Sequence, residues 1–143
     1  MKKIFLVLLA AACLAGCATT VRYMSYTGET YPPKPGNYFV TVFTASQHIP
    51  VGQPYRVIGK VEIQGYASDG VTPGMLMDQA ESIARRKGAD AIINANTVSE
   101  LYTGTYVIPG HYGYYYYHPA RYIPYQNSIL QFTADLVVYT PHP

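Results

Sequence analysis

Between Thr72 and Lys87 the apolar positions Leu76, Ala80, Ile83 and Ala84 recur at helical spacing, with the stem of Lys87 continuing the row. Asp78, Gln79, Glu81, Ser82, Arg85 and Arg86 fall on the other side, so the pattern predicts a helix with one narrow buried stripe. Thr72 has the hydroxyl of an N-cap, and Pro73 suits the first turn, where its missing N–H costs nothing. Glu81 and Arg85 form an i,i+4 pair, and Gly88 supplies the left-handed residue that stops the helix. Ala89 to Val98 then switches to strand-like composition.

Period-two alternation predicts the remaining elements. Leu130, Phe132, Ala134, Leu136 and Val138 share one face of a strand over Ile129 to Tyr139, with Gln131, Thr133 and Asp135 on the other. Val57, Gly59, Val61 and Ile63 alternate with Lys60, Glu62 and Gln64 over Tyr55 to Gly65, and Gly59 on the buried face predicts the close approach of another backbone or of the helix. Tyr38 to Ala45 is β-branched and aromatic, a further strand. A strand, helix and strand joined by short links place the second and third strands parallel in one sheet, and the last strand returns antiparallel to the third. The expected fold class is α+β: about four strands in a mixed sheet with one helix packed on one face.

Leu101 to Asn127 breaks this economy, since a connection of that length in a compact domain is functional, disordered or a protruding hairpin. It holds nine of the sixteen tyrosines: Tyr102, Tyr106, Tyr112, Tyr114, Tyr115, Tyr116, Tyr117, Tyr122 and Tyr125. A hairpin pairing Tyr102–Ile108 with Tyr112–Tyr117 around Pro109-Gly110 is the expected form. Tyrosine combines large contact area with a hydroxyl and two torsions, so these rings, together with Arg121, are the candidate binding surface. The alternative is a flap that packs the same rings over the open face of the domain's own sheet.

The front of the chain belongs to processing. Lys2 and Lys3, an apolar run over Ile4 to Ala12 and Leu14-Ala15-Gly16-Cys17 form a signal followed by a lipobox-like site. They resemble a bacterial lipoprotein signal, which implies cleavage between Gly16 and Cys17, diacylglycerol on the Cys17 sulfur and an acyl chain such as palmitate on its amine. An ordinary secretory signal is the alternative. The expected division is signal peptide 1–16, a lipidated Cys17 with a flexible Pro-containing tether over 17–37, and one domain over 38–140 with the Tyr-rich segment at 101–127. In Gram-negative lipoproteins an Asp after the cysteine resembles an inner-membrane retention signal, so Ala18 here points to the outer membrane; the domain is expected on its periplasmic face, with the cell exterior as the alternative.

Cleavage changes the chemistry available. Cys13 leaves with the signal, and Cys17, if acylated, leaves no free thiol or disulfide. Loss of Lys2 and Lys3 takes Lys plus Arg from ten to eight, equal to the eight acids. A neutral mature chain, with Arg121 alone charged in the Tyr-rich segment, argues against nucleic acid.

Catalytic patterns do not emerge: there is no phosphate loop, nucleophile elbow, zinc helix or carboxylate pair. Asp69 sits in a Ser-Asp-Gly turn, and Asp90, after the helix stop, suits a structural role accepting backbone N–H groups. His111 and His118 flank Tyr114 to Tyr117 and are the weak metal candidates; a site for metal, haem or carbohydrate in this loop is the second functional reading. The first is a non-enzymatic, cofactor-free lipoprotein that binds a protein or envelope polymer through the loop.

Tyr55-Arg56-Val57-Ile58-Gly59-Lys60-Val61 and Ala84 to Ile93, ARRKGADAII, resemble the RcsF-type outer-membrane stress-sensor lipoproteins and the related YbjQ-type domains. That resemblance implies a strand with a buried Gly-x-Val, then a helix ending in a Lys-x-Gly-Ala-Asp turn into a strand. It also implies envelope-stress sensing and partnership with an outer-membrane β-barrel. The core disulfides of the RcsF type have no cysteines here to form them, and the Tyr-rich insertion has no counterpart in the shared motif.

Overall fold

The computed structural model describes residues 19–140. Gly16 and Cys17, with the whole expected signal peptide, lie outside the described residues, as do residues 141–143. The helix, α1, spans Pro73–Arg86 and buries Leu76, Ala80, Ile83 and Ala84, the stripe read from the sequence. Met75 N–H donates to the Thr72 hydroxyl at 3.3 Å, and Glu81 meets Arg85 at 3.4 Å. Gly88 has φ +77°, and Ala89 N–H reaches back to the Ala84 carbonyl at 2.9 Å, closing the helix end.

The strands are β1 (Thr19–Ser25), β2 (Thr41–Thr44), β3 (Tyr55–Tyr66), β4 (Ala91–Ile108), β5 (His111–Tyr112), β6 (Tyr117–His118) and β7 (Arg121–Tyr139). Five of them form one mixed sheet in the order β1-β3-β7-β4-β2, and β5 with β6 form a separate two-stranded piece. β3 and β4 run parallel, as expected, but β7 lies between them and pairs antiparallel with both. The α+β class holds, with five strands in the main sheet.

α1 covers one face. Its stripe meets Ile58, Val61 and Ile63 of β3, Ile92 and Ala95 of β4, and Leu130, Phe132, Ala134 and Leu136 of β7. Phe132 is fully buried at the centre; side chains of this size contribute about 1.5–3 kcal/mol each when removed from water. The opposite face carries Lys60, Glu62, Gln64, Gln131, Thr133 and Asp135, polar side chains that leave it open to solvent.

The stretch expected as a flexible tether over 17–37 is corrected by two features. Thr19–Ser25 is the edge strand β1, antiparallel to β3 from Thr19↔Gly65 to Ser25↔Gly59. Gly59 makes this possible: a Cβ there would lie 2.5 Å from the Met24 carbonyl and 2.6 Å from the Tyr23 hydroxyl. The residues after β1 then cross the C-terminal end of α1 as a strap. Tyr26 N–H donates to Ile58 O at 2.9 Å and Lys34 N–H to Arg85 O at 2.8 Å. The prolines shape this crossing, since a Cβ at Gly88 would meet the Pro32 carbonyl at 2.6 Å.

The expected hairpin is also corrected. Tyr102–Ile108 pairs with Arg121–Asn127, not with Tyr112–Tyr117. The ladder that β4 and β7 build in the core simply continues outward, which adds hydrogen bonds without a new nucleation step. The intervening residues form the small β5-β6 tip.

Candidate functional site

β4 and β7 leave the sheet together. β3 ends at Tyr66, opposite Ile129, so the eight register pairs from Leu101↔Ser128 to Ile108↔Arg121 form a two-stranded arm. At about 3.3 Å per residue it projects some 25 Å before the tip is added. A β-bulge sets its faces: between Ile93 and Asn96 the register shifts by one, with Asn94 at φ +54° and its Nδ2 donating to Asp135 Oδ2 at 2.9 Å. That extra residue decides which side each later β4 residue takes.

By strand alternation, Tyr102, Tyr106, Ile108, Arg121, Ile123 and Tyr125 share one face of the arm. Gly104 lies under the Tyr125 ring, where a Cβ would come within 2.6 Å of it, and Tyr125 leans toward Tyr102 with ring centres 6.3 Å apart. Leu101, Val107, Tyr122 and Pro124 occupy the other face. At the tip, Tyr112 and Tyr117 are cross-strand partners with centroids 4.9 Å apart, and Tyr114 meets Tyr115 edge-on at 4.8 Å. Tyr116 tilts against His118 at 4.5 Å, and its carbonyl accepts the Gly113 N–H at 2.8 Å. Such pairs add about 0.5–1.5 kcal/mol each and order the tip without burying it.

All nine tyrosines of the arm and tip are exposed, Tyr114 at 93% and Tyr115 at 87%. A flap would bury its rings against the sheet; this is a projecting arm. No carboxylate side chain occurs between Glu100 and Asp135, and Arg121 is the single formal charge in that interval. Ile108 and Ile123 are apolar members of the surface that sequence reading left out. The signal that could have found them is the unbroken alternation Tyr102, Gly104, Tyr106, Ile108.

The structure brings His111 and His118 together as register partners, stacked at 4.7 Å with 16° between planes. Near-parallel rings aim their lone pairs side by side rather than at one ion. Arg121 shares with them a hollow of about 220 Å³ bounded by Ile108, Pro109 and Pro119, which opposes a cation further. Among the described residues, no three His, Cys, Asp or Glu side chains converge on a metal-sized space.

Asp90 lies at the other end of the domain, away from the arm, and its oxygens are fully engaged. Lys34 Nζ approaches Oδ1 at 2.6 Å, the Tyr38 hydroxyl donates to Oδ1 at 2.9 Å, and the Tyr139 N–H donates to Oδ2 at 2.9 Å. Burial alone would raise its pKa; the donors from Lys34, Tyr139 and Tyr38 outweigh it and hold the carboxyl below its usual range. The bond to Asp90 in turn raises the Tyr38 phenol, and burial raises that of Tyr139. This is a clasp on the strap. Asp69 stays in its surface turn, where the Ser68 hydroxyl donates to it at 3.2 Å.

No family model and no curated protein matches the chain. Among solved structures it is similar to a Francisella virulence factor, FvfA, at 15% identity over 82% of this chain and 96% of that one, with a TM-score of 0.46. A likeness that distant carries no function across.

Proposed function

We propose that this chain is a non-enzymatic, lipid-anchored protein of the outer membrane, facing the periplasm, that engages another component of the envelope through its tyrosine arm. The observation that carries the reading is the arm itself, a long ribbon whose rings are ordered by one another and left open to solvent. Exposed aromatic surface of this extent marks a contact site. The anchor rests on Leu14-Ala15-Gly16-Cys17. Gly59 and Gly88, which carry the resemblance to RcsF-type domains, serve the packing of β1 and of the strap, so that resemblance speaks to layout.

The test is to place a photo-crosslinking residue at Tyr116 in cells and identify what it captures in the intact envelope, beside the same crosslinker in a chain whose Tyr112, Tyr114, Tyr115 and Tyr117 are replaced by Ser. Capture that is lost with those tyrosines, while the domain stays folded, supports the arm as the contact. Equal recovery of the same adduct from a crosslinker at Tyr55, at the far end of the sheet, would count against it. Intact mass of the membrane-extracted protein tests the anchor, which requires a chain beginning at an acylated Cys17.

A further inference from the structure

The register of the sheet fixes where the N-terminal end of the fold lies relative to the arm. Thr19 is opposite Gly65, Gly65 opposite Leu130, and Leu130 opposite Ser99, so these four residues form one row across β1, β3, β7 and β4. The arm begins just beyond that row, at Leu101↔Ser128. β1 runs antiparallel to β4, so the chain preceding Thr19 departs from the same end of the sheet as the arm.

Two peptide links, through Ala18, separate Cys17 from Thr19, and they can span no more than about 7 Å. The arm extends some 25 Å from the same row, before its tip. Sheet twist of about 20–25° per strand turns it roughly 60–75° from the direction of β1, which makes it oblique and still inclined to that side. With Cys17 held at a bilayer and β1 locked to β3, there is no slack to lift this end of the domain away. We infer that the arm lies in the interfacial layer of the membrane that holds the anchor, and that the envelope component it binds is the phospholipid surface.

This inference rests on the lipid-anchor reading for its geometry, and the arm's chemistry agrees with it independently. Tyrosine suits the headgroup layer, where a ring meets acyl chains and a hydroxyl meets water. Ile108, Ile123, Val107 and Tyr122 add exposed apolar surface. No carboxylate from Leu101 to Ala134 repels anionic headgroups, and Arg121 with His111 and His118 supplies donors for a lipid phosphate in the hollow at the tip.

The chain has no tryptophan, so one introduced indole reports alone. The membrane-extracted, acylated protein is reconstituted in vesicles of phosphatidylethanolamine and phosphatidylglycerol containing brominated acyl chains, as Tyr115→Trp or as Tyr55→Trp. Strong quenching of the first with little of the second is expected, because Tyr55 is at the opposite end of β3. Equal, weak quenching of both would overturn the inference. So would a tip crosslinker that captures a protein or a glycan while the indole at 115 stays unquenched. The chain from Ala18 onward, which has no anchor, should still bind these vesicles weakly. Replacing Tyr114 to Tyr117 by Ser should weaken that binding about tenfold at unchanged thermal unfolding. An unacylated Cys17 in the intact mass sinks the anchor alone; vesicle binding by the unanchored chain then decides the arm separately, and its absence overturns the inference.

Discussion

The Lys34 ammonium sits 2.6 Å from Asp90 Oδ1, joining the strap that precedes β2 to the turn that follows α1 across fifty-six residues of sequence. The pair is shielded, with side-chain exposures of 26% and 10%, and the Lys34 ammonium lies 5.1 Å from the centre of the Tyr38 ring. Asp90→Asn should cost about 1–3 kcal/mol in urea unfolding at neutral pH, because Lys34 and the Tyr139 N–H lose a charged acceptor.

The same contact gives a pH dependence with a definite sign. Asp90 has a depressed pKa in the fold, so its contribution is complete above the ordinary carboxylate value near about 3.9 and disappears as pH falls through the lower folded value. The stability gap between wild type and Asp90→Asn should therefore close on acidification below about pH 4. A gap that stays constant from neutral pH to the acid transition would show that the carboxylate charge is not what the clasp uses.

Gly88 is constrained twice, by φ +77° and by the Pro32 carbonyl over its α-carbon. Gly88→Ala should destabilise by about 2 kcal/mol, more than a left-handed cost alone, and should loosen the strap. Faster amide exchange at Lys34, whose N–H bonds Arg85 O, would report that loosening.

Asn94 holds the bulge in β4 at φ +54°. A β-branched side chain resists that conformation, so Asn94→Val should cost about 2 kcal/mol, whereas Asn94→Gly should lose only the bond to Asp135. Thermal unfolding of the two variants separates these effects; equal losses would mean that the backbone angle is not the limiting requirement.

Because the rings of the arm are exposed, replacing residues 104–125 by Asn-Gly, which closes the ribbon on the register pair Thr103↔Gln126, should leave the core intact. Phe132 and its neighbours do not depend on them, and the melting temperature should move by only a few degrees. Collapse of the domain would instead assign these tyrosines to folding.

The helix, the Gly88 stop and the outline of β7 were legible because each is a local pattern: a stripe at 3.6, a residue with φ > 0, a clean alternation. β1 was not, because Thr19 to Ser25 has a half-polar surface and becomes a strand only by meeting Gly59, forty residues away. The same non-local logic hid the pairing of the arm. Tyr102–Ile108 had two chemically similar candidates for a partner, and the choice was made by the β4-β7 register already fixed around Phe132. The tyrosines themselves were visible as a candidate surface from composition. That Tyr102, Tyr106 and Ile108 share a face with Ile123 and Tyr125 depended on a single extra residue beside Asn94.

Among the described residues β7 is the last strand, and it is the middle strand of the sheet. Before it forms, β1 can pair only with β3 and β2 only with β4, and each pair alone is a marginal two-stranded piece. The hydrophobic layer under α1 therefore closes in one late event that needs residues 129–139. A chain released N-terminus first cannot close this layer before those residues are free.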